Sequence, residues 1–293
     1  MNIVSSGKFI YASGMIFCCV AGVLFLTGLL VAALPAWRTR RRRERFLAAP
    51  FPKAWAKIIR INVPHAAKIP RPLRARYARR IKEFLMEKTF EPCGGLGEVS
   101  DKIAVIVAAN ASLLTLGREA PAWRFLHSVL IYPRAFRLHD PQETLAASAD
   151  GEATPLPAEE EPPENDGESR AFGSVILSQE RILRDAAFSG NAQNVIIHEF
   201  AHQFADTEPL YFPREHLERW EALFKKEMAR LRSGASDTIL DEYGADDPAE
   251  FFAVCTEAFF GTPQALRRAH PEAYTALAEI YALDPAAWPT AED

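Results

Sequence analysis

NVIIHEFAHQF, residues 194–204, sets His198 and His202 four positions apart around Glu199, inside an otherwise apolar run. Residues four apart on an α-helix project from one face, so both imidazoles can turn a ring nitrogen onto one ion. Glu199 stands one residue along, placed to work on a water beside the ion rather than to bind the ion. Val195, Ile196, Ile197, Phe200 and Phe204 make this an interior helix, where two histidines and a carboxylate are costly without partners. The bland alternative is three side chains satisfied by hydrogen bonds in a helix that binds nothing. The pattern suits peptide hydrolysis. Zinc lowers the pKa of water and polarises a carbonyl, while a carboxylate takes the water's proton and later passes it to the leaving amine.

A third protein ligand has to come from elsewhere, and three residues compete. Glu208 stands where some zinc peptidases place a third histidine after a glycine turn, but here the turn position holds Ala205 and Pro209 follows. His216 opens the next helix with no supporting spacing. Glu250 lies in YGADDPAEFFAVCTEAFF, residues 243–260. With Asp247 as N-cap and Pro248 as first helical residue, Glu250 falls at the third position, where it can instead complete a capping box. Its neighbours Phe251 and Phe252 favour a carboxylate directed into a lined cavity. Glu257 lies two turns on along the same face, where it can orient a ligand histidine from behind.

The N-terminal part has a different character. From Phe9 to Trp37 there is no charged residue, and GMIFCCVAGVLFLTGLLVAALPAW is long enough to cross a hydrocarbon core of about 30 Å as a helix. After a short tail at 1–8, residues 9–37 are therefore expected to span a lipid bilayer. Arg38, Arg40, Arg41, Arg42, Arg43 and Arg45 follow in a basic segment at 38–50, which keeps that side in the cytoplasm. The expected location is a bacterial-type inner membrane, single-pass, with the body cytoplasmic. The competing reading is a signal peptide cleaved near Ala32, Ala33 and Ala36. Head groups account for the arginines. With 34 basic against 38 acidic residues and a net charge of −4, nothing argues for nucleic acid. Cys93 and Cys255 are isolated thiols in the body and form no disulfide framework.

The body, 51–284, is 48% hydrophobic along with the rest of the chain and can bury a core. Prolines 52, 64, 70 and 72 suggest an irregular lead-in, followed by a helix from about Leu73 through Tyr77, Ile81, Phe84 and Leu85. DKIAVIVAANASLLTLG reads as a buried helix ending at Gly117. FLHSVLIYP and GSVILS have the composition of strands, and the latter could offer an edge to an extended substrate or simply pair within its sheet. Between them, the acidic, proline-rich stretch at about 140–170 has almost nothing to bury and reads as a mobile loop. Helices then carry the opening motif, Leu217 to Leu231, Asp247 to Gly261, and LRRAHPEAYTALAEIYALDP. Residues 285–293 read as a tail. The expected class is α+β, mainly helical, with a small sheet.

Taken together, HEFAH, YGADDPAEFFAV with its downstream TEAFF, GSVILS and LIYPRAF resemble the Mlc titration factor A family of gluzincin-like zinc peptidases, from about Phe51 to Tyr281. Tyr243 to Ala253 is also similar to the catalytic domain of anthrax lethal factor. The resemblance implies one Zn2+ held by His198, His202 and Glu250, with Glu199 as general base. It implies that Tyr243 donates a hydrogen bond to the oxyanion of the transition state, a role that suits a phenol; otherwise Tyr243 is an ordinary aromatic beside Gly244. It implies peptide or protein substrates, cut from the amino end, and a transcriptional repressor as a sequestered partner. The chain departs from the family at Gln179, commonly tryptophan, and at Ala205, where an aspartate is usual and Asp206 comes one residue later.

Overall fold

The computed structural model describes residues 34, 35, 37–119, 123–134, 167–170, 173–187, 193–207, 212–233, 239, 240, 244 and 247–289. The chain divides into two compact units, 1–50 and 51–293. In the first, residues 37–48 are helical, Arg40 pairs with Glu44 at 3.0 Å, and the Arg41 guanidinium stacks 4.5 Å from the Trp37 ring. The expected membrane span at 9–37 lies almost wholly outside the described residues, as do Glu208, Tyr243 and most of the acidic stretch. Among the described residues no helix is long and apolar enough to cross a membrane.

The second unit opens with α1 (Lys53–Asn62) and a 3-10 turn at Pro64–Lys68, where an irregular lead-in was expected. The prolines do not break these elements because they sit at their starts. Pro52 and Pro70 are N-cap residues, and Pro64 and Pro72 occupy first-turn positions that need no intrahelical N–H. Then come α2 (Arg71–Glu87), β1 (Thr89–Pro92) and α3 (Asp101–Leu114), whose N-cap Ser100 accepts from the Ile103 N–H at 3.4 Å. α3 is buried on nearly every side from Val105 to Leu114, which is why its sequence shows little amphipathic contrast. Just beyond it, Gly117 approaches the end of the last long helix so closely that a Cβ would stand 2.3 Å from the Tyr281 carbonyl oxygen.

β2 (Ser128–Tyr132), β3 (Gly167–Arg170) and β4 (Ser174–Ser178) complete a sheet of order β1-β2-β4-β3. β1, β2 and β4 run parallel, and β3 is antiparallel to β4. Val129 opposite Val175 and Ile131 opposite Leu177 feed the core. Of the two readings of GSVILS, pairing within the sheet is the one observed, since β4 pairs on both sides. Residues 167–170 of the expected loop form an edge strand instead, with β1 at the other edge. GESR carries no apolar alternation, so its strand character comes from backbone pairing with β4.

A short α4 (Gln179–Asp185) follows β4 directly, its N–H at Arg181 donating to Ser178 Oγ at 3.1 Å. The remaining elements are α5 (Val195–Thr207), α6 (Arg214–Arg232), α7 (Pro248–Gly261), α8 (Pro263–Ala269) and α9 (Pro271–Tyr281). The expected single last helix is two, because Pro271 disfavours helical backbone at His270, whose φ is −131°. Residues 285–288, expected in a tail, instead pack on the body. Pro285–Ala287 forms a 3-10 turn, Ala286 is buried with its N–H donating to Tyr274 Oη at 2.9 Å, and Trp288 leans on the core. The result is a predominantly helical α+β body in which α5 is packed between α7, α3 and the sheet.

Candidate metal centre

α5 is fixed from behind by aromatic contacts. Phe200 lies 5.0 Å from Trp123 and 5.7 Å from Phe84, and Phe204 lies 5.0 Å from Tyr281, ring centroid to centroid. These contacts turn the opposite face of α5, with His198 and His202, toward the first turn of α7. There Asp247 caps the helix, its Oδ1 accepting from Ala249 N–H at 2.7 Å and Glu250 N–H at 3.1 Å. The Glu250 side chain does not close a capping box. Its carboxylate meets both imidazoles, Oε2 lying 3.1 Å from His198 Nε2 and Oε1 3.2 Å from His202 Nε2. The two Nε2 atoms are 3.2 Å apart.

These three side chains fit a tetrahedral cation. Four-coordinate zinc with bonds of about 2.0–2.1 Å holds neighbouring donors about 3.3–3.4 Å apart. The Nε2–Nε2 separation of 3.2 Å is close to that edge length, and each nitrogen has one oxygen of the Glu250 carboxylate at 3.1–3.2 Å. Glu250 Oε2 is buried without a hydrogen bond of good geometry, and electron-pair donors this close need a positive charge between them. A proton can supply it. Burial pulls the His198 imidazole down, but Glu250 and Glu257 outweigh burial and hold its pKa at about 10. Burial pushes the Glu250 carboxyl up, but His198 and His202 outweigh it and bring the pKa to about 2.

Glu257 stands behind His198, its Oε1 accepting from Nδ1–H at 2.8 Å. With Nδ1 so engaged, Nε2 is the ring nitrogen that faces His202 and Glu250, and its lone pair would be given to an ion that displaces its proton. Burial raises the Glu257 pKa in spite of the His198 contact. Glu199 is 5% exposed and lies in the same turn of α5 without joining the three converging donors. His216 is elsewhere, in the first turn of α6, 5.6 Å from the Trp220 ring and beside Glu215. Tyr243 and Glu208 lie outside the described residues; Gly244, next to Tyr243, is buried against Val254 of α7.

One residue with a part in this arrangement escaped the sequence reading. Asn194 sits at the start of α5, its Oδ1 accepting from Ile196 and Ile197 N–H at 3.1 Å each, and its own N–H donating to Glu257 Oε2. An asparagine just before an apolar periodic run is an N-cap signal, and it was available in the sequence.

The chain is similar to known proteins along most of its length. An uncharacterized protein of Synechocystis sp. is 32% identical over 262 residues, covering 86% of this chain and 91% of its own length. Mlc titration factor A of Pectobacterium atrosepticum is 27% identical over 240 residues, 78% of this chain and 85% of its own. Mlc titration factor A of Yersinia pestis is 26% identical over 264 residues, 86% and 90% respectively. Residues 37–282 match the model of the glucose-regulated metallo-peptidase M90 family, and the chain belongs to that family.

Proposed function

We propose that the chain is a zinc-dependent peptidase, with His198, His202 and Glu250 holding one ion, Glu199 acting as general base and Tyr243 as donor to the oxyanion. The observation that carries this reading is the convergence of three side chains: the two Nε2 atoms lie 3.2 Å apart, and the Glu250 carboxylate sets one oxygen 3.1 Å from His198 and the other 3.2 Å from His202. When bound, zinc supplies Lewis acidity to water and to the scissile carbonyl. Glu199, buried in the turn that bears both histidines, takes the proton of the attacking water and returns it to the leaving amine. Glu257 keeps the His198 ring oriented throughout. Three protein ligands leave a coordination position for chemistry, whereas a structural site closes with four. An extended peptide has the outer edge of β3 to pair with, since no other strand covers it among the described residues. Cleavage from the amino end is the finer form of this proposal, separated by comparing substrates with free and blocked amino termini.

A second reading rests on the name two relatives carry, Mlc titration factor A. On that reading the chain binds a regulatory protein stoichiometrically, with or without cutting it. Metal analysis of the purified chain together with a Glu199→Gln variant separates the two. We expect the variant to keep its zinc and lose turnover on a peptide library by about 10²–10⁴-fold. Inert wild-type and variant proteins that capture the same partner would instead favour binding.

A further inference from the structure

We propose that Asn194 is a positioning residue of the metal centre: it ties the start of α5 to Asn110 in the middle of α3 and thereby fixes Glu257 and the His198 ring. The proposal rests on reading the His198, His202 and Glu250 cluster as a metal site. Its basis is a line of buried polar contacts through three helices. Asn194 Nδ2 donates to Asn110 Oδ1 at 3.1 Å, and both side chains are fully buried. The Asn194 backbone N–H donates to Glu257 Oε2, and Glu257 Oε1 accepts from His198 Nδ1–H at 2.8 Å. Both carboxylate oxygens are therefore engaged, so the group cannot rotate without releasing either the imidazole or the start of α5.

Capping alone does not explain asparagine at this position. Serine, threonine or aspartate would serve α5 equally well as acceptors for its first N–H groups. Asparagine adds a donor on the same planar group, directed away from the helix toward Asn110. Asn110 cannot invert its amide to suit another partner, because its Nδ2 already donates to the Ile106 carbonyl at 3.0 Å. Its side chain also meets the buried imidazole of His65. Aspartate at 194 would bring a carboxylate oxygen against Asn110 Oδ1 and a second negative charge toward Glu257. A buried amide with its partners in place sets position and orientation together.

The test uses the full chain and reads metal, not turnover. Co2+ and Zn2+ affinities are measured by chelator competition, with the Co2+ absorption spectrum as a report on ligand geometry. Asn194→Ser keeps a capping oxygen and the backbone N–H and loses only the reach to Asn110. We expect about 10–100-fold weaker metal binding and an altered Co2+ spectrum. Asn110→Leu, which alters no proposed ligand, is expected to do the same, and the double variant to lose no more than the worse single one. If one variant fails to fold, the other decides. Ser178→Ala removes the α4 cap outside this line of bonds and should lower Tm while leaving affinity and spectrum unchanged. Wild-type affinity and spectrum in both Asn194→Ser and Asn110→Leu, or losses that add in the double variant, would overturn the proposal. A wild-type chain that takes up neither ion would overturn the metal site itself.

Discussion

At the scale of residues, the centre works by crowding donors until they require a cation. In the metal-free protein that cation is a proton on His198, and its linkage to stability has a definite sign. The His198 pKa in the fold, about 10, lies above its ordinary 6.5, so its contribution is complete below pH 6.5 and is lost as pH rises through 10. The Glu250 pKa, about 2, lies below its ordinary 4.5, so its contribution is complete above 4.5 and is lost as pH falls through 2. The chelator-treated protein should therefore show this stabilisation in full only between about pH 4.5 and 6.5. Urea titrations at pH 6 and pH 9.5 should show a drop in midpoint that shrinks in Glu250→Gln. Zinc bound as proposed would have to displace the same proton, so its apparent affinity should rise about tenfold per pH unit between pH 6 and 8.

At the scale of elements, the third donor depends on how a helix begins. Glu250 is in the first turn of α7, and Asp247 holds that turn closed with two hydrogen bonds. Asp247→Ala should cost about 1 kcal/mol of stability. It should also weaken zinc binding more than an equal loss elsewhere, because fraying there removes a ligand; calorimetry and chelator competition on one preparation check both. Legibility in the sequence follows the same division. The cap, the Pro248 start and the Gly261 end were readable because capping is local chemistry, and the motif helix was readable because its apolar spacing is helical. β3 and β1 were not, since GESR and TFEP carry no alternation and owe their form to backbone pairing with neighbours. That Glu250 would face both histidines rather than its own backbone depends on the packing of α5 on α7, which no local pattern encodes. The break at His270 was written in Pro271 and should have divided the last helix.

At the scale of the whole molecule, the proposed zinc and the proposed anchor make separate predictions. Zinc at a hundred times its Kd should stabilise the body by about 2.7 kcal/mol, visible as a rise in Tm that a chelator reverses and that Glu250→Gln largely abolishes. A reporter fused after Asp293 tests the anchor. Activity of a cytoplasm-dependent reporter, with the chain in the membrane fraction, is expected from the charge-free 9–37 and the arginines after it. Activity only of a periplasm-dependent reporter would reverse the orientation.

His198 on α5 and Glu250 at the head of α7 are separated by roughly fifty residues of chain, and the ion would join them as a cross-bridge does. Closing a loop of that size removes on the order of 4 kcal/mol of freedom from the unfolded chain, comparable to a long-range disulfide. A chelator would then play the part that a reductant plays for secreted proteins, and digestion of the body by a protease would speed up once the ion is withdrawn.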